Sequence, residues 1–183
     1  GIILGVILLI TDENGLTPNH LLYNILDKIV NVFRSLPFII LLGVIYKLTR
    51  FIVGTSIGST AAIVPLVIST TPFFARQIQN ALLEVDPGVV EAAQAMGTSN
   101  LDIIFRVYLK EGLASIIRVS AVTIINVIGL TAMAGAVGGG GLGNLAISRG
   151  YNRFQDDVIL VATGLILIIV FISRIIYKVV KTT

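Results

Sequence analysis

The chain has 183 residues, 55% of them hydrophobic and only 13% charged, about half the charged share of an ordinary soluble domain, which argues against a water-facing surface. It has no cysteine, which excludes disulfides, thiolate zinc sites and iron–sulfur ligation, and the single His20 cannot build a multi-histidine metal centre. The formal net charge is +3, but the basic residues are scattered between apolar runs, a pattern that suits membrane orientation better than nucleic-acid binding.

A helix crossing the hydrocarbon core needs roughly 20 mostly apolar residues, because every backbone N–H and C=O must be bonded within the segment. Residues 1–10 are apolar with no cationic flank and no cleavage site, so they read as the tail of a truncated first span rather than as a signal peptide. A second span is expected over residues 21–46, polar in its first half at Asp27, Lys28 and Arg34. A third is expected over residues 51–75, where Pro65 and Pro72 each remove a backbone donor. Residues 113–137 form the fourth and residues 158–177 the fifth. The reading is an all-α, polytopic membrane protein of five spans, with a single domain over residues 1–183.

Charges between the spans set the orientation. Arg76, Arg106, Lys110, Arg174, Lys178 and Lys181 lie on one side, against Lys47, Arg50, Arg149 and Arg153 on the other. That excess places the long middle loop, residues 76–111, and the C-terminus in the cytoplasm.

The middle loop lacks the Gly, Ser and Pro content of a linker and should fold. Asp86 followed by Pro87 supplies an N-cap and a first-turn proline for a short alanine-rich helix that Gly97 stops. Ser99 with Asp102 approximates a capping box for a second helix that offers Leu101, Ile104, Val107 and Tyr108 for packing. By spacing alone the favoured reading is a plain connection between spans, since most ordered loops are only connections.

Glu91, Ala92 and Ala93, followed by Gly97, resemble the EAA loop of the membrane subunits of ABC importers. Residues 33–42, 52–58, 81–85 and 132–143 extend the resemblance to the methionine branch of these permeases. The chain departs from the usual pattern after the loop, where Lys110 and Ala114 replace two prolines, and a straighter entry into the fourth span is expected there.

The resemblance implies a type I permease fold in a bacterial inner or plasma membrane, working as a homodimeric pore for methionine or a related amino acid. Two cytoplasmic subunits would bind ATP and Mg and hydrolyse the nucleotide, and an extracytoplasmic binding protein would deliver substrate. The chain itself has no G-x-x-x-x-G-K-[ST] loop and thus no cradle of that kind for ATP; it reads as a non-enzyme without a cofactor of its own. Under the resemblance Glu91, Ala92, Ala93, Met96 and Gly97 form the coupling helix that docks on the ATPase.

Within the fourth span Thr123, Asn126 and Thr131 are polar residues in an apolar run, the pattern of a pathway or of buried packing, and Met133 near its outer end is the gate candidate or an ordinary gap-filler. Gly54 with Gly58, Gly135 with Gly139 and Gly139 with Gly143 fit small-x-x-x-small helix contacts. Gly138, Gly140 and Gly143 also satisfy G-x-G-x-x-G, but after a membrane-length helix rather than a strand, so an outer loop or hinge is the better reading. Arg34 needs a partner and Asp27 lies two turns away; Arg118 is placed to snorkel. A permease for another small solute remains the first alternative, followed by an ion-coupled transporter and then a membrane anchor. The ion-coupled reading is weakened because Asp27 is the single acidic candidate within the spans.

Overall fold

The computed structural model describes residues 1–182, with side chains throughout except at positions 136, 176 and 178–182. Lys178 and Lys181, used above for orientation, therefore lie outside the described side chains. The described residues are all-α: α1 (Ile2–Thr11), α2 (His20–Ser35), α3 (Phe38–Val44), α4 (Tyr46–Val53), α5 (Ser59–Leu83), α6 (Pro87–Ala95), α7 (Asn100–Asp102), α8 (Leu109–Glu111), α9 (Leu113–Ala134), α10 (Gly141–Asn144) and α11 (Asp156–Thr182). Wider π-helical turns occupy Ile103–Tyr108, Gly135–Gly139 and Leu145–Gly150.

Among the described residues three helices are long and apolar enough to cross a bilayer: Ser59–Leu83, Leu113–Ala134 and Asp156–Ile175, with mean hydropathies of 1.3, 2.0 and 2.7. About a third of the α5 window is buried, against 6% in each of the other two, so α9 and α11 leave most of their surface to lipid or another chain. Helix α1 is a shorter apolar piece.

The second expected span is not one helix. Pro37 lacks the N–H that would continue α2 and disfavours helical geometry at Leu36, so the chain leaves the helix after Ser35 and restarts at Phe38 with Pro37 as N-cap. A further break falls at Ile45, between α3 and α4. The third span is shifted toward the C-terminus. Its expected first residues end α4 and form a turn in which Gly54 and Gly58 adopt φ of 79° and 103°, so Gly54 ends α4 and Gly58 leads into α5. Helix α5 then continues through Pro65 and Pro72 to Leu83, which moves Arg76 out of the loop and into a span.

By contacts the chain divides into two compact units, Gly1–Arg34 with Thr71–Val122 and Ser35–Thr70 with Thr123–Thr183. In the first, Leu9, Ile78, Leu82, Val85, Val90, Ala93, Ile103 and Tyr108 form a closed core, with Ile78, Leu82 and Ile103 fully buried. Each such side chain contributes about 1.5–3 kcal/mol by leaving water. The second unit has a smaller core of Phe38, Ala62 and Ala134, against which Leu42, Leu66 and Leu130 pack.

Candidate functional site

In the first unit, α6 is built by its ends. Asp86 Oδ1 accepts a hydrogen bond from the Gly88 N–H at 2.8 Å, with Pro87 in the first turn. At the other end Gly97 takes φ of 75°, its N–H donates to the Gln94 carbonyl and the Thr98 N–H donates to the Ala93 carbonyl, the two bonds of a Schellman motif. Ser99 then caps the next helix: its Oγ accepts from the Asp102 N–H at 3.2 Å and donates to the Asp102 carboxylate at 2.7 Å.

Val90 and Ala93 point into the core, which holds α6 rigidly and leaves Val89, Glu91, Ala92, Gln94 and Met96 exposed. Val89, Ala92 and Met96 follow at i, i+3 and i+7, an exposed apolar stripe that flanks the buried face, with Met96 78% exposed. Ala93, expected among the docking residues, is 5% exposed and belongs to the protein's own core; helical periodicity makes it the partner of Val90. Val89 takes its place on the outer stripe, a position legible in the sequence once Val90 is assigned inward. In the following helix Leu101 is exposed instead of packing, as is Phe105, while Ile103, Ile104 and Tyr108 turn inward. Burial raises the pKa of the Tyr108 phenol.

Without the two prolines the backbone ladder runs on toward α9: the Gly112 N–H donates to the Tyr108 carbonyl and the Ile116 N–H to the Gly112 carbonyl, both at 2.9 Å. Arg118, expected to snorkel, has an ion-pair partner in Glu84. Its Nη2 donates to Glu84 Oε2 at 2.7 Å, and the Ser115 hydroxyl donates to the same oxygen at 2.5 Å. The Ser115 hydrogen bond, reinforced by the Arg118 charge, lowers the Glu84 pKa below its ordinary value. Arg34 is exposed, and the Asp27 carboxylate pairs with Arg76.

The second unit contains the polar residues of α9. Thr123 is buried, Asn126 is half-buried, and the exposed Thr131 donates its hydroxyl to the Ile128 carbonyl at 2.7 Å, which satisfies it within its own helix. Met133 is 40% exposed. Beyond it, residues 135–153 are mostly helical turns, interrupted at Val137, Gly138 and Gly140. A Cβ added to Gly143 would lie 2.0 Å from the Ala132 carbonyl oxygen, and one on Gly135 2.6 Å from the Asn144 nitrogen, so the chain folds back on itself at backbone-to-backbone distance. Gly138 and Gly140 supply the turn with φ of 93° and 78°.

The Gly58 N–H donates to the Gly138 carbonyl at 3.1 Å and ties this return to the turn before α5. Beside that bond lies a cavity of about 280 Å³, lined by Leu42, Tyr46, Thr49, Ser56, Ala61 and Pro65 among others. A second, of about 410 Å³, is lined by Thr131, Leu66, Ile166 and the glycines 139–141 and 143. Sequence reading missed both cavities, because the break between α3 and α4 and the folded-back glycines that shape them are tertiary features. Met133 lines neither.

Residues 1–182 match the model of a family described as binding-protein-dependent transport system inner membrane component. Among curated proteins, the chain is 45% identical over 174 residues to a probable D-methionine transport system permease protein of Pasteurella multocida, covering 95% of this chain and 80% of that one. It is 48% identical over 170 residues to the methionine import system permease protein of Bacillus subtilis, covering 93% of this chain and 77% of that one. Among solved structures, an inward-facing conformation of the MetNI methionine ABC transporter aligns with 100% of this chain and 84% of its own, at a TM-score of 0.96 and 41% identity. An amino acid ABC transporter with histidines shares the fold at a TM-score of 0.75 and 17% identity, over 99% of this chain and 84% of that chain.

Proposed function

The chain belongs to the family of binding-protein-dependent transport system inner membrane components, and from that premise we propose that it is the pore-forming subunit of an ATP-driven importer of methionine or a closely related amino acid. The observation that carries the substrate is the likeness to a methionine transporter chain across the whole length, at 41% identity and a TM-score of 0.96. In this reading two copies line the pore, two cytoplasmic subunits hold ATP and Mg and hydrolyse the nucleotide, and an extracytoplasmic binding protein presents the substrate.

Coupling is mechanical. The ATPase receives the exposed face of α6, with Ala92 and Met96 in a groove, Val89 beside them, Glu91 meeting a basic side chain at the rim and Gly97 closing the helix. Small side chains let the partner's backbone approach, and the core contacts of Val90 and Ala93 turn a push on α6 into a displacement of the unit. Alternating access follows when such rigid-body displacement exposes one pathway to opposite sides in turn. Thr123, Asn126 and Thr131 are placed on that pathway and Met133 at its outer gate, where a flexible thioether can close a narrow passage.

The test is uptake of labelled methionine into proteoliposomes holding this chain with its ATPase and binding protein. The expected result is accumulation that requires ATP, with selenomethionine competing and lysine failing to compete. Uptake that proceeds without any nucleotide-hydrolysing partner would overturn the reading in favour of a secondary transporter.

A further inference from the structure

Helix α2 has little apolar contact to hold it. Among its residues Val30 alone is buried, while Leu21, Ile25, Ile29 and Val32 are exposed. With Tyr23, Leu26 and Phe33 only half-buried beside Val30, the helix detaches or slides more easily than one that closes a core. The face that carries Val30 also carries Asp27 and Asn31, at helical spacing.

Arg76 of α5 meets that face. Its Nη2 donates to one oxygen of the Asp27 carboxylate and, at 3.3 Å, to the Asn31 amide oxygen. The Asn31 amide nitrogen donates to the other Asp27 oxygen at 2.9 Å. The Arg76 Nη1 donates to Gln79 Oε1 at 2.7 Å, and Gln79, on the same helix, is 2% exposed. The guanidinium is thus oriented from its own helix by one fork while the other fork grips α2. Side-chain exposures of 14% for Arg76 and 28% for Asp27 keep most water out, so the attraction is screened less than at an open surface.

The position of Arg76 gives this grip a consequence. It lies about two turns before the end of α5, and Glu84 to Asp86 lead directly from there into α6. We propose that Arg76 and Asp27 are positioning residues of the transport cycle: they fasten α2 to the C-terminal part of α5, so that a displacement imposed on α6 is carried into α2 instead of being absorbed at a loose joint. The inference rests on the reading of α6 as the helix that docks on the ATPase. An arginine–carboxylate contact suits the task because it is directional and either made or broken, so it passes on movement rather than yielding gradually. Inside a membrane span a charge that loses its partner is costly, which keeps the contact closed while the helices move.

The test uses the complete transporter in vesicles, with Asp27→Asn, Arg76→Gln, Arg76→Lys and the exchange Asp27→Arg with Arg76→Asp. Three readouts are taken: the amount of ATPase that co-purifies, nucleotide hydrolysis, and methionine moved per ATP. The two neutral variants should retain the ATPase yet move about tenfold less methionine per ATP, a loss of the size expected of a residue on a coupling route. Arg76→Lys keeps the charge but loses the fork and should fall between, and the exchange should recover most of the loss.

Unchanged methionine per ATP in both neutral variants overturns the proposal, as does a loss that neither Arg76→Lys nor the exchange relieves. Should the neutral variants fail to assemble, Arg76→Lys decides: wild-type stoichiometry in it overturns the proposal. An Ala92→Arg control separates the two layers. If it leaves stimulated hydrolysis intact, the docking reading itself fails; if it abolishes stimulation while the neutral variants couple normally, only the Arg76–Asp27 inference fails.

Discussion

The two contact units hold themselves together by different means. In Gly1–Arg34 with Thr71–Val122, side chains do the work: eight buried residues close a core, and all three ion pairs among the described residues, Arg76–Asp27, Arg106–Asp102 and Arg118–Glu84, fall there. In Ser35–Thr70 with Thr123–Thr183 the core cluster is three residues, and close approach of backbone at Gly135 and Gly143 takes the place of interlocking side chains. Five of the six positive-φ glycines, Gly54, Gly58, Gly138, Gly140 and Gly141, lie in that second unit, and Gly97 is the exception. Side-chain interlock makes a body that moves as one piece, whereas a thin core with cavities beside it opens locally at lower cost. The contrast is the one that the proposed coupling requires, with one part receiving force and the other opening.

The sharpest challenge to that contrast is Gly143→Val. A side chain there would overlap the Ala132 backbone, so a loss of about 4 kcal/mol or more is expected. Hydrogen exchange should show residues 123–150 losing protection while residues 71–111 keep theirs. Equal loss in both would mean that the two units are not independent in stability. The mirror experiment is Leu82→Ala, which removes a fully buried side chain from the first unit and should cost about 3 kcal/mol, with the loss of protection centred on residues 71–111.

Ala92→Arg sharpens the comparison at the level of function. Ala92 is exposed, so stability should stay within about 0.5 kcal/mol, yet stimulation of hydrolysis in the partner ATPase should vanish. Normal stimulation would remove α6 from the coupling role. The smallest structural effect is expected from Met133→Ala, at a side chain that is 40% exposed: dimers should assemble normally while the rate of uptake, or its leak without ATP, changes. A variant indistinguishable in both would leave Met133 as packing.

How much was legible in the sequence differs along the same division. Helix α6 and its caps could be read residue by residue, because Asp86, Pro87, Gly97 and Ser99 act through backbone groups a few positions away. The fourth and fifth spans were legible for a similar reason, since long apolar runs have few alternatives in a bilayer. The second span misled, because hydropathy averages over Pro37 and the break at Ile45, and neither changes the apolar content of the run. The glycine run was legible only in part: close approach was expected at Gly135, Gly139 and Gly143 and a loop at Gly138 and Gly140, but which backbone each glycine meets leaves no trace in one dimension. Ala93 went inward because a short helix with one face on a core must bury every residue of that face, whatever its similarity to its neighbours.

By itself, the sequence determined the solvent this chain lives in, the helical form of its spans and the short capped helix between two of them, all consequences of local backbone bonding and of apolar content. Only the tertiary structure decided which face of that helix is free, that Arg76 rather than Arg34 holds Asp27, and where the folded-back glycines leave cavities. Those choices depend on which distant residues meet, and a pairing across α2 and α5 leaves no periodic trace in either segment.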